Sequence, residues 1–196
     1  MKTDFLETIK CDDGKVYNIG FHQRRYESGL SSLGITKFQD LNSLIKAPKD
    51  GLYRCRLTYS SINHDLIEIS YHKYKKKKVE SLKIIYDDNI EYSKKYLNRE
   101  DINRLYEQKD SCDDIIIVQN SLISDTSIAN IAFYDGSKWL TPASPLLKGT
   151  TRERLLQEGK IMKSDIKVED LKSFSKIALL NAMIDFDILP NISFKN

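Results

Sequence analysis

With 40% apolar and 30% charged content, this 196-residue chain has the make-up of an ordinary soluble globular protein, enough for one large domain or two small ones. Its net charge of +3, from 31 basic and 28 acidic residues, is too modest to make a nucleic acid or a membrane surface the default partner. No apolar run approaches the roughly 18 residues of a membrane span, the N-terminus has no signal-peptide core, and Cys11, Cys55 and Cys112 form no CxxC pair. A reduced, cytoplasmic protein without a metal centre or disulfide framework is therefore expected.

Residues 4–20 predict two short strands around the turn Asp12-Asp13-Gly14. Residues 21–35 have helical spacing, with Phe21, Tyr26 and Leu30 along one side, and residues 38–47 predict another short helix. Strands follow at 51–60, 65–74 and 81–88, making a small α+β unit with an antiparallel sheet. Within it "YHKYKKKKVE" (71–80) interleaves aromatics with lysines. That pattern suits nucleic acid, phosphates by charge and bases by stacking. It also suits a solvated turn or edge strand, where lysine discourages aggregation. Acidic residues surround the run, so the second reading is preferred and no specific nucleic acid is expected.

The second half predicts a helix from about Arg99 to Gln108, strands at 115–119, 127–134 and 138–141, and a helix from Gly149 through Lys160. A strand at 165–168, a helix or turn near 169–174 and the apolar "KIALLNAMIDFDILP" complete it. The fold class is thus mixed α/β (α+β), in two domains, 1–90 and 91–196.

Ser124, Asp125, Thr126 and Ser127 lie between turns at 119–122 and 134–138, a position for buried polar chemistry rather than punctuation. The histidines His22, His64 and His72 have no GxSxG elbow beside them, and the chain holds no GxGxxG, no P-loop and no metal-ligand spacing. Three features remain. "LLKGTTRERLL" puts Gly149, Thr150 and Thr151 at a helix start, which binds phosphate through unpaired N–H groups or is a plain threonine cap. "YSKKYLNRED" carries a lysine, and Asp125 is an acid. A lysine, an acid and a phosphate cradle are what proteins supply to pyridoxal 5′-phosphate.

The ordered set "FLETIKCDDGKVYNIGFHQRR", "KYLNR", "SDTSIANI", "TP", "LLKGTTRE" and "LLNAMIDFDIL" resembles the class IV, fold-type IV, pyridoxal-phosphate enzymes. These include branched-chain and D-amino-acid aminotransferases and aminodeoxychorismate lyase. The resemblance implies two α/β domains with the cofactor at their interface, usually in a homodimer. It implies that Lys95, chosen over Lys94 by its spacing to Arg99, is the catalytic Schiff-base lysine, leaving Lys94 to solvent. Arg25, Gly149, Thr150 and Thr151 would hold the phosphate. Asp125, in place of the family's glutamate, would face the pyridine nitrogen, with Thr126 and Ser127 passing the ring. Asn181 and Ala182 would close over the cofactor. Arg54 and Arg56 share one face of their strand and suit the carboxylate of a small amino substrate, or are simply exposed sheet arginines. The "KYLNR" and "NAM" forms and the short chain favour the lyase, which releases pyruvate and 4-aminobenzoate. An aminotransferase is the alternative, and a non-catalytic relative or basic binding module is disfavoured because both lysine and phosphate loop are present.

Overall fold

The computed structural model describes residues 4–62 and 65–195; His64 lies outside them. Two compact units result. The first runs up to Lys76 and regains Lys94–Asn98; the second holds Lys77–Ser93 and everything from Arg99.

In the first unit β1 (Phe5–Asp12), β2 (Lys15–Val16), β3 (Leu52–Tyr59) and β4 (Leu66–Lys73) form an antiparallel sheet in the order β2-β1-β3-β4. Asp13 and Gly14 close the first hairpin with positive φ, as the sequence anticipates, and Gly51 N–H donates to Asp13 at 2.7 Å. Helix α1 (Ile19–Ser31) buries His22, Tyr26 and Leu30, one residue per turn. Tyr26 meets Tyr59 edge-on at 4.8 Å, within a core that also holds Phe5, Ile9, Cys11, Cys55 and Leu57. The helix expected over 38–47 is one turn, α2 (Leu41–Leu44), capped by Asp40. Ile45 is already extended, and Pro48 disfavours helix at the residue before it. Segment 94–98 returns along β1: Leu6 N–H donates to Lys95 O at 2.9 Å and Leu97 N–H to Asp4 O at 2.7 Å.

The second unit contains β5 (Ser81–Tyr86), α3 (Glu100–Tyr106), β6 (Asp114–Gln119), β7 (Leu122–Thr126), β8 (Asn130–Tyr134) and β9 (Trp139–Pro142). It continues with α4 (Thr150–Gln157), β10 (Met162–Ser164), β11 (Lys176–Asn181), β12 (Asp185–Leu189) and β13 (Ser193–Lys195). The sheet path is β10-β9-β8-β7-β6-β5-β13, with β11 joining β8 and pairing β12. Strand β6 reads Ile115-Ile116-Ile117-Val118 because it is covered on both faces; all four are buried. Since β5 pairs in parallel with β6, it belongs to the second unit, inside the 1–90 stretch read from the sequence as the first domain.

Three elements differ from the sequence reading. Ser124-Asp125-Thr126 sits in β7, a strand that polar composition hides, and β8 begins at Asn130 rather than Ser127. The strand expected at 165–168 is β10 at Met162–Ser164, paired with β9; Ile166 instead turns its side chain into the core. The apolar tail is a β11–β12 hairpin. Among the described residues no helix is long and apolar enough to cross a membrane.

Phe133 is fully buried at the centre of the larger core, its ring 5.0 Å from Phe174. Phe133→Ala should lower unfolding stability by about 3–5 kcal/mol, read from the shift of a urea midpoint at unchanged slope.

Candidate active site

In the first unit Glu7 shares the inward row of β1 with Phe5, Ile9 and Cys11 and is fully buried. An unpaired carboxylate there would cost several kcal/mol. Arg25 answers it with two hydrogen bonds, Nε to Oε1 at 2.8 Å and a terminal nitrogen to Oε2 at 2.6 Å. His22, one turn earlier on the same helix face, brings Nδ1 to Oε2 at 2.6 Å. Burial pushes the Glu7 carboxyl up, but the charge and hydrogen bonds of Arg25 and the bond from His22 outweigh it and hold it at about 2. An ionised carboxylate only accepts, so His22 donates from Nδ1. Burial keeps His22 below its ordinary value against the pull of Glu7, and the positive charges of Arg25 and Lys95 add to the depression. The imidazole is therefore neutral near pH 7.

Lys95 is half-buried, its carbonyl fixed by Leu6, and Tyr96 stacks on Phe5 at 5.6 Å. Lys94 and Lys95 lie in no regular strand. Lys94 is held too: its Nζ lies 5.8 Å over the Phe5 ring. Arg54 and Arg56 do share a face of β3, away from buried Cys55 and Leu57. Their cross-strand partners are Lys10 and Thr8 on β1 and His72 and Ser70 on β4.

In the second unit Asp125 is the penultimate residue of β7, at 4% exposure. Asn130 Nδ2 donates to its Oδ1 at 2.6 Å and Leu147 N–H to its Oδ2 at 2.9 Å. Burial dominates and pushes this carboxyl up to about 7, although Leu147, Asn130 and the charge of Arg152 draw it down. Asn130 is anchored from behind by the Leu147 carbonyl at 2.8 Å. A Cβ on Gly149 would stand 2.1 Å from Asn130 Oδ1, so glycine here makes room for the amide that holds Asp125.

Helix α4 starts at that glycine, with Thr150, Thr151 and Arg152 buried in its first turn. Arg152 donates to Pro142 O at 2.8 Å and lies 3.4 Å from Thr141 Oγ1, so "TP" and "TR" meet. The loop after Asp125 is tied down at several points. Thr126 Oγ1 bonds both backbone groups of Ala129 at 3.1 Å. A terminal nitrogen of Arg99 donates to Ser127 O at 2.7 Å, and Asn181 donates to Ile128 O at 3.3 Å while accepting from Met183 and Ile184. Thr126, Ser127 and Asn181 thus use polar groups to shape the loop and its neighbouring turn, with Ala182 beside them in that turn. Glu7, His22, Asn130 and Arg152 fall within the motifs that carry the family resemblance but were given no role from sequence. The i, i+3 pairing of His22 with Arg25, facing an acid in an otherwise apolar strand row, was the available signal.

Over residues 4–187 the sequence matches the amino-transferase class IV family. The chain belongs to this family. An uncharacterized protein of Haemophilus influenzae is 42% identical over 184 residues, 91% of this chain and 96% of that one. A crystal structure of a proposed 4-amino-4-deoxychorismate lyase from Haemophilus somnus 129pt superposes with a TM-score of 0.84 at 36% identity, covering 93% of this chain and 97% of that one. At 13% identity the branched-chain amino acid aminotransferase of Escherichia coli shares the fold, with a TM-score of 0.75 over 97% of this chain and 77% of its own.

Class IV aminotransferases use pyridoxal phosphate. This chain's residues fit it, each unit by itself: in the second, a buried carboxyl whose hydrogen-bond partners among the described residues are an amide and backbone N–H groups suits a ring N–H⁺ and the α4 start suits an anion; in the first, the Arg25 guanidinium suits an anion.

Two predictions follow from the Asp125 environment. A carboxyl whose folded value lies above its unfolded 3.8 binds its proton more tightly when folded, so its contribution to stability falls as pH rises from about 4 to about 7. In cofactor-free protein, urea unfolding from pH 4 to 8 should show Asp125→Asn gaining on wild type across that window by a few kcal/mol. Glu7 acts lower, between about 2 and 4.5, and His22 is common to both proteins. Gly149→Ala should cost about 1–3 kcal/mol by overpacking, and weaken cofactor retention in gel filtration at least tenfold.

Proposed function

We propose that this chain is a pyridoxal-phosphate-dependent lyase that converts 4-amino-4-deoxychorismate to pyruvate and 4-aminobenzoate. The observation that carries the cofactor chemistry is Asp125: a fully buried carboxyl poised near neutrality, which a cationic ring nitrogen would complete. The near full-length likeness, at 36% identity, to a proposed lyase supports this reaction over transamination.

Pyridoxal phosphate, when bound, supplies an electron sink for negative charge at the substrate α-carbon. Lys95 would hold it covalently and, once displaced by the amino substrate, take the α-proton at Nζ. Asp125 would accept a hydrogen bond from the ring nitrogen and keep it protonated. Arg25, fixed in direction by Glu7, and the first turn of α4 would take the phosphate. Neutral His22 keeps Glu7 committed to Arg25 without adding positive charge near Lys95. Arg54 and Arg56, with Lys10 across the strands, would receive substrate carboxylate. We place the enzyme in the cytoplasm as a homodimer, in keeping with its family resemblance.

Purified protein incubated with pyridoxal phosphate should show a visible band that borohydride fixes as a covalent adduct on Lys95, located by peptide mass. Lys95→Ala should lose both band and adduct and at least a thousandfold in rate. Supplied with aminodeoxychorismate, wild type should release pyruvate without needing a keto acid. A keto-acid requirement would replace the lyase with an aminotransferase, and no adduct would remove the cofactor reading.

A further inference from the structure

We propose that the second unit carries a site for a small zwitterionic α-amino acid, floored by Asp114 and rimmed by Lys77 and Arg99. This goes beyond the proposed reaction and does not rest on it.

A pocket of about 180 Å³ opens among Lys77, Arg99, Asn103, Tyr106, Asp114, Ser127 and Ile128. That is room for several waters or a ligand of a few heavy atoms. Asp114 opens β6 at 2% exposure and so forms the floor. Its Oδ1 takes the N–H of Ile115 at 2.8 Å, while among the described residues no donor meets Oδ2 with hydrogen-bonding geometry. Ser127 approaches the carboxyl, and burial still pushes Asp114 above its ordinary value. A buried carboxyl oxygen left without a donor costs free energy that an entering N–H⁺ group would relieve.

The rim has the opposite character. Lys77 Nζ is braced by Tyr106 Oη at 3.1 Å and the Asp113 carbonyl at 2.7 Å, and Arg99 by the Ser127 carbonyl at 2.7 Å. Two cations held at the mouth and a lone carboxyl at the base ask for one ligand with an ammonium inside and a carboxylate outside. A phosphate or dicarboxylate would satisfy the rim and repel the floor; a simple amine would do the reverse. The zwitterion satisfies both. Because Arg99 and Asp114 both meet Ser127, an occupant would press on the loop that follows Asp125.

The test titrates 2-aminoisobutyrate, which has no α-hydrogen, into the full chain by calorimetry. Wild type and Lys95→Ala should bind alike, with a dissociation constant on the order of 1 mM. Asp114→Asn should weaken binding at least tenfold and Lys77→Gln about threefold. Isobutyrate, lacking the ammonium, and 2-aminoisobutyramide, lacking the carboxylate, should each bind at least tenfold more weakly to the Lys95→Ala chain. This ligand comparison decides the matter even if Asp114→Asn fails to fold. Unchanged affinity in a folded Asp114→Asn, equal binding of all three ligands, no heat in wild type at 50-fold the expected constant (about 50 mM), or binding abolished by Lys95→Ala would each overturn the proposal. The last would place the ligand at Lys95, leaving the proposed reaction intact.

Discussion

Asp125 is withdrawn from water into strands whose other residues are largely apolar, and its environment constrains the second unit around it. Its partners are an amide, backbone N–H groups and the more distant charge of Arg152. Those dipoles compensate only partly for lost hydration, so the proton is bound more tightly than in water. The groups that supply them must themselves be fixed. Asn130 pairs with Asp125 across β7 and β8 and is gripped by the Leu147 carbonyl; Gly149 has no side chain because Asn130 occupies that volume. The motif residues Asp125 and Asn130, Gly149-Thr150-Thr151-Arg152 and Thr141-Pro142, separated by up to 27 positions from Asp125 to Arg152, meet through this packing.

Glu7, a buried acid of the first unit, is managed in the opposite way. It too has lost its hydration, but a guanidinium forks onto both its oxygens. A full opposite charge at hydrogen-bond distance outweighs the desolvation, whereas dipoles at similar distances do not. The two carboxyls therefore sit on either side of the ordinary range, about 2 against about 7. Glu7 is complete as it stands and acts by aiming Arg25. Asp125 is left, among the described residues, without a full opposite charge at hydrogen-bond distance.

How much of this was legible in the sequence depended on whether a local pattern or a long-range pairing decided it. The first hairpin and the Arg54–Arg56 face follow from period and turn chemistry and are found; of the expected α1 row Tyr26 and Leu30 are buried, with His22 in place of Phe21. Strand β7 escaped because Asp125 disfavours strands by propensity and the run of small polar residues around it breaks the apolar alternation that marks a strand; pairing with β6 and burial override that. The single-turn α2 fell short for a related reason, since apolar spacing continued past Asp40 while Pro48 and extended Ile45 ended the helix. Lys95 and Asp125 were reached through motif order. Their supports, Glu7, His22, Asn130 and Arg152, lie in the same motifs, but their roles were not readable there, since each owes its role to a neighbour 5 to 27 positions away that only the fold supplies.

The aspartate that stands where the family pattern has glutamate can be understood from the same packing. A side chain one methylene shorter reaches less far, so its backbone must be held at a defined distance from whatever it serves. The segment just after Asp125 is correspondingly constrained. Thr126 closes the turn onto Ala129, Arg99 takes the Ser127 carbonyl and Asn181 the Ile128 carbonyl. Of these contacts, two come from other elements and bind main chain, so the loop's path is not left to its own side chains alone. Ordering such a loop costs roughly 1–2 kcal/mol per residue in backbone entropy. That cost is incurred in the folded protein before any ligand arrives, and the carboxyl is presented without further adjustment. A longer glutamate could tolerate a looser loop. The shorter acid and the firmly tied loop belong together, and relaxing the tie at Arg99 or Asn181 would undo what the shorter side chain requires.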